Sequence, residues 1–394
     1  MRVLITSVSA YGHFQPMIPL AKALAEAGHE VAIATGSDLR SRAEAAGFQV
    51  FDAGLDFEAA YERLAARYPD REYNRLEPDE ILGWYLPHLF GEIVAPAMLS
   101  DLEPLVRSWR PHVILHDMGE FAGPIAATSA GIPSVCQMLG IHYDDRTLDS
   151  IAAAVAPLWK ERGLGPDPAA GLYRHLCLDI MPTGLQPYES GRFRDVTRPL
   201  RPTAMPPLPG EQLPTWIEQR RDVPLIHMTL GTNVGTNTDM AVFRSGIDGL
   251  GDLEVEVLIT SGRGKAPSSF GSLPANVHVE QYVPHSLLLP LCSALIYHGG
   301  AGTTFSALAQ GLPLLVLPQG ADQYIIGDLV QASGAGLCLT PRHVNAATIR
   351  QSVLALLYEP GFRANARRLQ CEIAAMPGPD EAVRLIEEVS SRTR

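Results

Sequence analysis

Several features that would assign a chain quickly are missing from these 394 residues. No stretch reaches the roughly 18 to 20 consecutive apolar residues of a membrane-spanning helix. The opening MRVLITSVSAYGHF has an apolar run too short for a secretory signal, and meets Gly12 and His13 where a cleavage region should stand. Both absences give the expectation of a soluble, cytoplasmic protein without an integral membrane partner. Cysteine is scarce, five in all (Cys136, Cys177, Cys292, Cys338, Cys371), with no CxxC pair and no metal-ligand spacing, which reads as free thiols in a reducing compartment. Basic runs are absent, and 43 acidic against 31 basic residues leave a net charge of -12, which argues against nucleic acid as a partner. Neither GxGxxG nor GxxxxGK[ST] occurs, which disfavours dinucleotide and ATPase readings. No DxD triplet occurs either, so no bound metal is expected.

What is present is alternation. Val3–Val8 is a short β-rich run, Pro16–Ala27 has helical spacing of Met17, Leu20 and Leu24 with Gly28 as its stop, and His29–Thr35 is again β-rich. This is a βαβ unit and predicts a parallel sheet. Gln49–Phe51, His112–His116 and Pro133–Met138 continue it, and a second series runs through Pro224–Leu230, Glu254–Thr260, Val277–Gln281, Ala294–Tyr297, Pro313–Leu317 and Gly336–Leu339. Between the series, prolines crowd 186–216, where neither helix nor central strand is sustainable. The length suits two cores of roughly 200 residues each. The expected organisation is therefore α/β, with a Rossmann-like domain over 1–198, a linker over 199–216, a second Rossmann-like domain over 217–375, and a helix over 376–394 packing back toward the first.

Two stretches break the alternation. From Asp56 to Pro78 charged, aromatic and polar residues mix, and a long irregular insertion is expected, a candidate wall for a substrate pocket. Glu80–Trp109 is helical in period, with kinks or breaks expected near Pro87 and Pro96.

Ligands of parallel sheets bind at the carboxyl ends of strands. Tyr297 ends a strand there, and HGGAGTT follows. Gly299, Gly300 and Gly302 let backbone amides approach a ligand, Thr303 and Thr304 lie in a helix's first turn where an anion is favoured, and His298 adds a donor. A glycine-rich turn with capping threonines and no ligand is the plainer alternative. Gly231 and Thr232 repeat the ingredients at the end of the first strand of the same half, and Asp322 with Gln323, one strand further on, suit a sugar's neighbouring hydroxyls. Together they suggest a sugar-phosphate donor. In the first half His13 stands between strand and helix, where the helix dipole favours a neutral ring able to accept a proton. Asp117, at another strand end, could orient it. Capping and packing are the plainer roles for both, and His116 and Glu120 stand as nearer alternatives.

The stretch His298–Gln323 (HGGAGT through ADQ), with VHVEQYVPHSLLL and the early GHFQP, resembles the family 1 glycosyltransferases of GT-B fold, and most of all the bacterial branch that decorates natural products. The resemblance spans essentially the whole chain. It implies two Rossmann-like domains with parallel sheets facing across a cleft, and inverting transfer from a dTDP- or UDP-sugar to a hydroxyl of a small hydrophobic aglycone. It also implies that His13 is the general base and Asp117 its partner, and that Thr232, His298, Gly300 and Thr303 contact the diphosphate. Val283 would contact the base through its backbone, and Asp322 and Gln323 the sugar. Tyr282 stands where tryptophan is usual and His285 where glutamine is common. Apolar residues around Trp84, Tyr85 and Phe90, and His142 after the strand Pro133–Met138, are the expected acceptor pocket. The nucleotide sugar is a co-substrate rather than a resident cofactor, and a monomer or homodimer is expected. A sugar-nucleotide epimerase of the same fold and a non-catalytic helper of a transferase are the two rival readings.

Overall fold

The apolar runs become short parallel strands, the central ones of each sheet buried on both faces as strands between helices must be. The computed structural model describes residues 1–71, 76, 80–186, 193–231, 240–262, 265–320 and 322–392. The chain divides into two units, one of Met1–Met181, Tyr188–Arg201 and Met376–Arg394, the other of Pro182–Pro187 and Pro202–Ala375.

In the first unit the strands are β1 (Arg2–Thr6), β2 (Glu30–Thr35), β3 (Gln49–Asp52), β4 (Val113–Asp117), β5 (Ser134–Gln137), β6 (Leu176–Asp179) and β7 (Thr197–Pro199). They lie in the order β3-β2-β1-β4-β5-β6-β7, every described pairing parallel. The chain builds outward from β1 to β3 and then returns to lay β4 on the other side of β1. That reversal opens a crevice at the carboxyl ends of β1 and β4, where this fold places ligands. The helix Pro379–Arg392 packs on Ile18–Glu26 of the same unit, with His29 Nε2 3.0 Å from Glu387 Oε1.

The second unit repeats the plan with β8 (Leu225–Thr229), β9 (Glu256–Thr260), β10 (Val277–Glu280), β11 (Ala294–Tyr297), β12 (Leu314–Val316) and β13 (Gly336–Cys338). The order is β10-β9-β8-β11-β12-β13, again parallel, so the reversal falls between β8 and β11. Its core is aliphatic with two phenylalanines, Phe243 and Phe270, packed edge to face. The expected α/β class with two parallel-sheet, Rossmann-like units is borne out. Among the described residues no helix is long and apolar enough to cross a membrane.

Two expectations need correction. The stretch 56–78 is not an irregular insertion throughout, because Phe57–Arg67 is an α-helix. Phe57, Ala60, Tyr61 and Leu64 fall at i, i+3, i+4 and i+7, a helical stripe obscured by the charged residues on its other face. Glu80–Trp109 is not broken at Pro87 or Pro96. Ile81–Tyr85 and Pro87–Val94 form wide π turns that lead directly into the α-helix Ala95–Trp109. Leu86 N–H donates to Ile81 O and Ala95 N–H to Phe90 O, five residues back. The wider turn relieves the clash between a proline ring and the carbonyl four residues earlier. Also absent from the sequence reading are β6, β7 and the helix Asp145–Glu161. Pro199 fits β7 because that strand lies at the sheet's edge.

Candidate active site

In the first unit β1 runs into the short helix Tyr11–Phe14, which carries His13, while β4 ends on Asp117. Because β1 and β4 are neighbours, with Thr6 opposite His116, the two side chains meet although 104 residues separate them. His13 Nδ1 lies 2.8 Å from Asp117 Oδ1. Asp117 is fully buried and also accepts from Gly119 N–H at 2.6 Å through Oδ1 and from Val8 N–H at 2.9 Å through Oδ2. Burial pushes its carboxyl up, but the charge and hydrogen bond of His13 and the two amides outweigh burial and hold it below the ordinary aspartate value. The carboxylate is thus ionised and fixed, with Nδ1–H of His13 donating to it. Gly119 makes room for the ring, since a Cβ there would sit 2.7 Å from His13 Cε1.

His116, the alternative to His13, is fully buried with Nδ1 on the Asp117 carbonyl at 3.1 Å, and burial pushes it down to about 4. Glu120, the other alternative, is also buried. Its carboxylate accepts from Ala122 N–H, Gly123 N–H and Thr6 Oγ1.

The second unit brings together the ends of β8 and β11. Gly231 turns the chain after β8 with φ of 89°, and a Cβ on it would meet the His298 ring at 3.0 Å. A Cβ on Gly300 would lie 2.6 Å from His298 Nε2. The imidazole is therefore seated between two glycines. Burial, aided by His285, pushes His298 down to about 4, which keeps the ring neutral at pH 7. Its Nδ1 has no hydrogen-bond partner among the described residues. The helix Ala301–Leu308 begins after Gly300, so the N–H groups of its first turn, those of Gly302 and Thr303 among them, are available to an anion.

Gly299, with φ of 98°, joins this loop to the next. A Cβ there would lie 3.0 Å from Gln323 O and 2.9 Å from Val316 Cγ1. Gln323 uses its Oε1 to accept from Gln319 and Gly320 N–H at 2.8 and 3.2 Å, shaping the loop after β12. Asp322 precedes the helix Gln323–Ala332 without capping it through its side chain. Tyr282 is among the most exposed large hydrophobic residues, at 43%, and Val283 beside it is buried. Thr232 lies outside the described residues.

Two domain models match the chain, the N-terminal domain of erythromycin biosynthesis protein CIII-like proteins over residues 22–187 and the C-terminal domain of the same family over 244–389. The chain belongs to this family of natural-product glycosyltransferases. It is 32% identical to the elloramycin glycosyltransferase ElmGT of Streptomyces olivaceus, with 98% of this chain and 97% of that protein covered. Identity to the tylactone mycaminosyltransferase of Streptomyces fradiae is 29%, with 100% and 93% covered. The solved structure of the glycosyltransferase VinC in complex with dTDP aligns over 100% of both chains at a TM-score of 0.80 and 27% identity. The chain is therefore an enzyme that transfers glycosyl groups, and the epimerase and helper readings give way to it.

The transferase places the expected acceptor residues in different settings. Phe90 is half-buried with its ring 5.5 Å from that of His13. Trp84 stacks on His88, and Tyr85 lies in a buried cluster with Leu64, Leu89 and Val94. His142 is buried, with Nδ1 2.9 Å from the Tyr173 hydroxyl and Nε2 2.9 Å from Asp179 Oδ2. Of these four, Phe90 stands against the ring of His13. Sequence reasoning passed over Thr6, whose hydroxyl reaches Glu120, and placed Tyr297 and Thr304 at the His298 loop without the hydrogen bond that joins them.

Proposed function

We propose that the enzyme transfers a sugar from a dTDP- or UDP-sugar to a hydroxyl of a hydrophobic aglycone, with inversion at the anomeric carbon and His13 as general base. The observation that carries this is the 2.8 Å contact between His13 Nδ1 and a buried, ionised Asp117. With Nδ1–H committed to the carboxylate, the proton of the acceptor hydroxyl passes to Nε2. Asp117 then stabilises the imidazolium. The acceptor oxygen bonds to the anomeric carbon as the bond from that carbon to the diphosphate oxygen breaks, with positive charge gathering on the sugar. A single displacement gives inversion.

The leaving diphosphate is held at the His298 loop by the first-turn amides of Ala301–Leu308 and by a neutral His298 donating one N–H. Tyr282 and Val283 bind the base, and Asp322 accepts from sugar hydroxyls while the Gln323 amide group donates to the sugar. The dTDP complex of VinC supports the nucleotide assignment. Phe90 beside His13 supports an apolar acceptor.

His13→Ala tests the assignment. Turnover should fall by about two to four orders of magnitude, the usual worth of a general base. Isothermal titration should show the nucleoside diphosphate binding as in the parent. Undiminished turnover would remove His13 from the mechanism.

A further inference from the structure

The turn that follows β4 holds two buried carboxylates, of which the mechanism uses one. Glu120 is only 1% exposed. Its Oε1 accepts from Ala122 N–H at 2.7 Å, and its Oε2 accepts from Gly123 N–H at 2.9 Å and from Thr6 Oγ1 at 2.5 Å. Thr6 is the last residue of β1, two positions before Val8, whose amide holds Asp117. Each carboxylate of the turn therefore ties the end of β4 to the chain at or just past the end of β1. Glu120 N–H in turn donates to the Asp117 carbonyl at 3.1 Å. A surface capping residue needs none of this. One carboxyl group could cap the helix Ala122–Ser129 from solvent without sacrificing its hydration.

The charges around Glu120 are few. Thr6 faces it from β1, Asp117 and His116 from β4, and Cys136 from β5. Burial keeps His116 neutral by pushing it down, and keeps the Cys136 thiol neutral by pushing it up. Among the described residues no lysine or arginine is a partner of either carboxylate. His13 is then the one group of this set that gains positive charge during the proposed reaction. Burial, followed by the charge of Asp117, pushes the Glu120 carboxyl up to about 7 against the pull of its hydrogen bonds.

We infer that Glu120 is a positioning residue for the base: its carboxyl fastens the β4 turn to Thr6 so that Asp117 stays aimed at His13, and once ionised it adds a negative charge that strengthens His13 as a proton acceptor. This rests on His13 being the base. Two negative charges behind one imidazole favour the imidazolium more than one does, so His13 becomes a stronger acceptor as pH rises and Glu120 loses its proton.

Glu120→Gln is the informative variant. The amide oxygen can keep Ala122 N–H and, at 3.1 Å, Gly123 N–H, and the amide group can meet Thr6 Oγ1, so most of the turn's bonds survive and the charge is lost, with one donor–donor contact to Gly123 N–H added. The measurement is kcat/KM for the acceptor between pH 5 and 9. Below about pH 6, where Glu120 holds its proton, the variant should match the parent, and above about pH 8, where Glu120 is ionised, it should fall about three- to tenfold behind. Titration with the nucleoside diphosphate should give the parent affinity within about twofold. A purely structural role would instead lower the rate equally at every pH. A profile superimposable on the parent's, uniformly scaled, or shifted to higher pH overturns the inference.

Thr6→Val provides a second route if the glutamine variant does not fold. Losing the hydroxyl makes the Glu120 charge harder to form, so the rise in rate that accompanies its ionisation should move to higher pH, and an unmoved rise counts against the inference. His13→Ala separates the two levels. If it turns over normally, both the base and this inference fall. If it is inactive while Glu120→Gln leaves the profile unmoved, the base stands and only the role of Glu120 falls.

Discussion

Tyr297 and Thr304 share a hydroxyl-to-hydroxyl hydrogen bond of 2.7 Å inside the junction of β11 and the helix that follows it. Thr304 Oγ1 also donates to Gly300 O at 2.9 Å, so the Tyr297 hydroxyl is the donor to Thr304. Both residues are fully buried. The pair anchors the strand before His298 to the helix after Gly300, and so determines how the intervening glycines present their amides.

Tyr297→Phe should therefore loosen the diphosphate cradle without touching ligand. Loss of one buried hydrogen bond costs about 1 kcal/mol of stability, with Thr304 still satisfied by Gly300. Nucleoside diphosphate affinity should fall about three- to tenfold by isothermal titration, with the larger part in faster dissociation. Unchanged affinity together with unchanged melting would show that the hydroxyl pair does not hold the loop.

Gly299→Ala acts on the same loop through backbone. A φ of 98° lies in the region that L side chains rarely adopt, and the added methyl would press on Gln323 O at 3.0 Å. Forcing a side chain there costs about 1 to 3 kcal/mol. Because the pressed atom belongs to the helix carrying Gln323, the donor KM should rise more than kcat falls. Steady-state kinetics with varied donor, at saturating acceptor, reads that split. A fall confined to kcat would place the effect elsewhere.

How much of this was legible beforehand depends on the kind of signal. Glycines at a strand end, as at His298, are visible because few residues tolerate that geometry, and short apolar runs declared every strand but β6 and β7. The meeting of His13 with Asp117 was readable as two strand ends of one sheet, but the order that makes β1 and β4 neighbours is a tertiary fact with no local trace. Phe57–Arg67 was misjudged because charged residues masked a helical stripe, and Pro87 because a π turn accommodates what an α turn rejects. Glu120 stood in the sequence as a nearer alternative at the catalytic site, with nothing to mark it as buried. Its burial follows from the packing of β1 against the β4 turn.

The pH dependence of stability should show His116. It is buried and neutral in the folded state with its value pushed down from the ordinary 6.5 to about 4. The unfolded chain therefore binds the proton first as pH falls from 6.5 toward 4, and stability declines over that window, by about 3 kcal/mol from this one group. Above pH 6.5 the contribution is fully present. His116→Asn keeps a donor for the Asp117 carbonyl and removes the titration. Chemical denaturation of both proteins at pH 7.5, 6 and 4.5 should give a shallower decline in the variant. Parallel curves would mean that His116 is not kept neutral by burial.

Asp117→Asn is the sharpest test of the catalytic pair. The carboxylate accepts three hydrogen bonds, from Gly119, Val8 and His13, and an asparagine can accept only through its one oxygen. If that oxygen takes Gly119 and His13, the amide group faces Val8 N–H, donor against donor. If it turns to Val8, the amide group faces His13 Nδ1 and selects the tautomer with the proton on Nε2, where the base must be empty. Either way the ring loses the negative charge that would stabilise its protonated form. Turnover should fall by about two to four orders of magnitude. Nucleoside diphosphate affinity should stay within about twofold, since no group of the His298 loop is altered. A variant retaining a tenth or more of the parent turnover would remove Asp117 as the partner of the base.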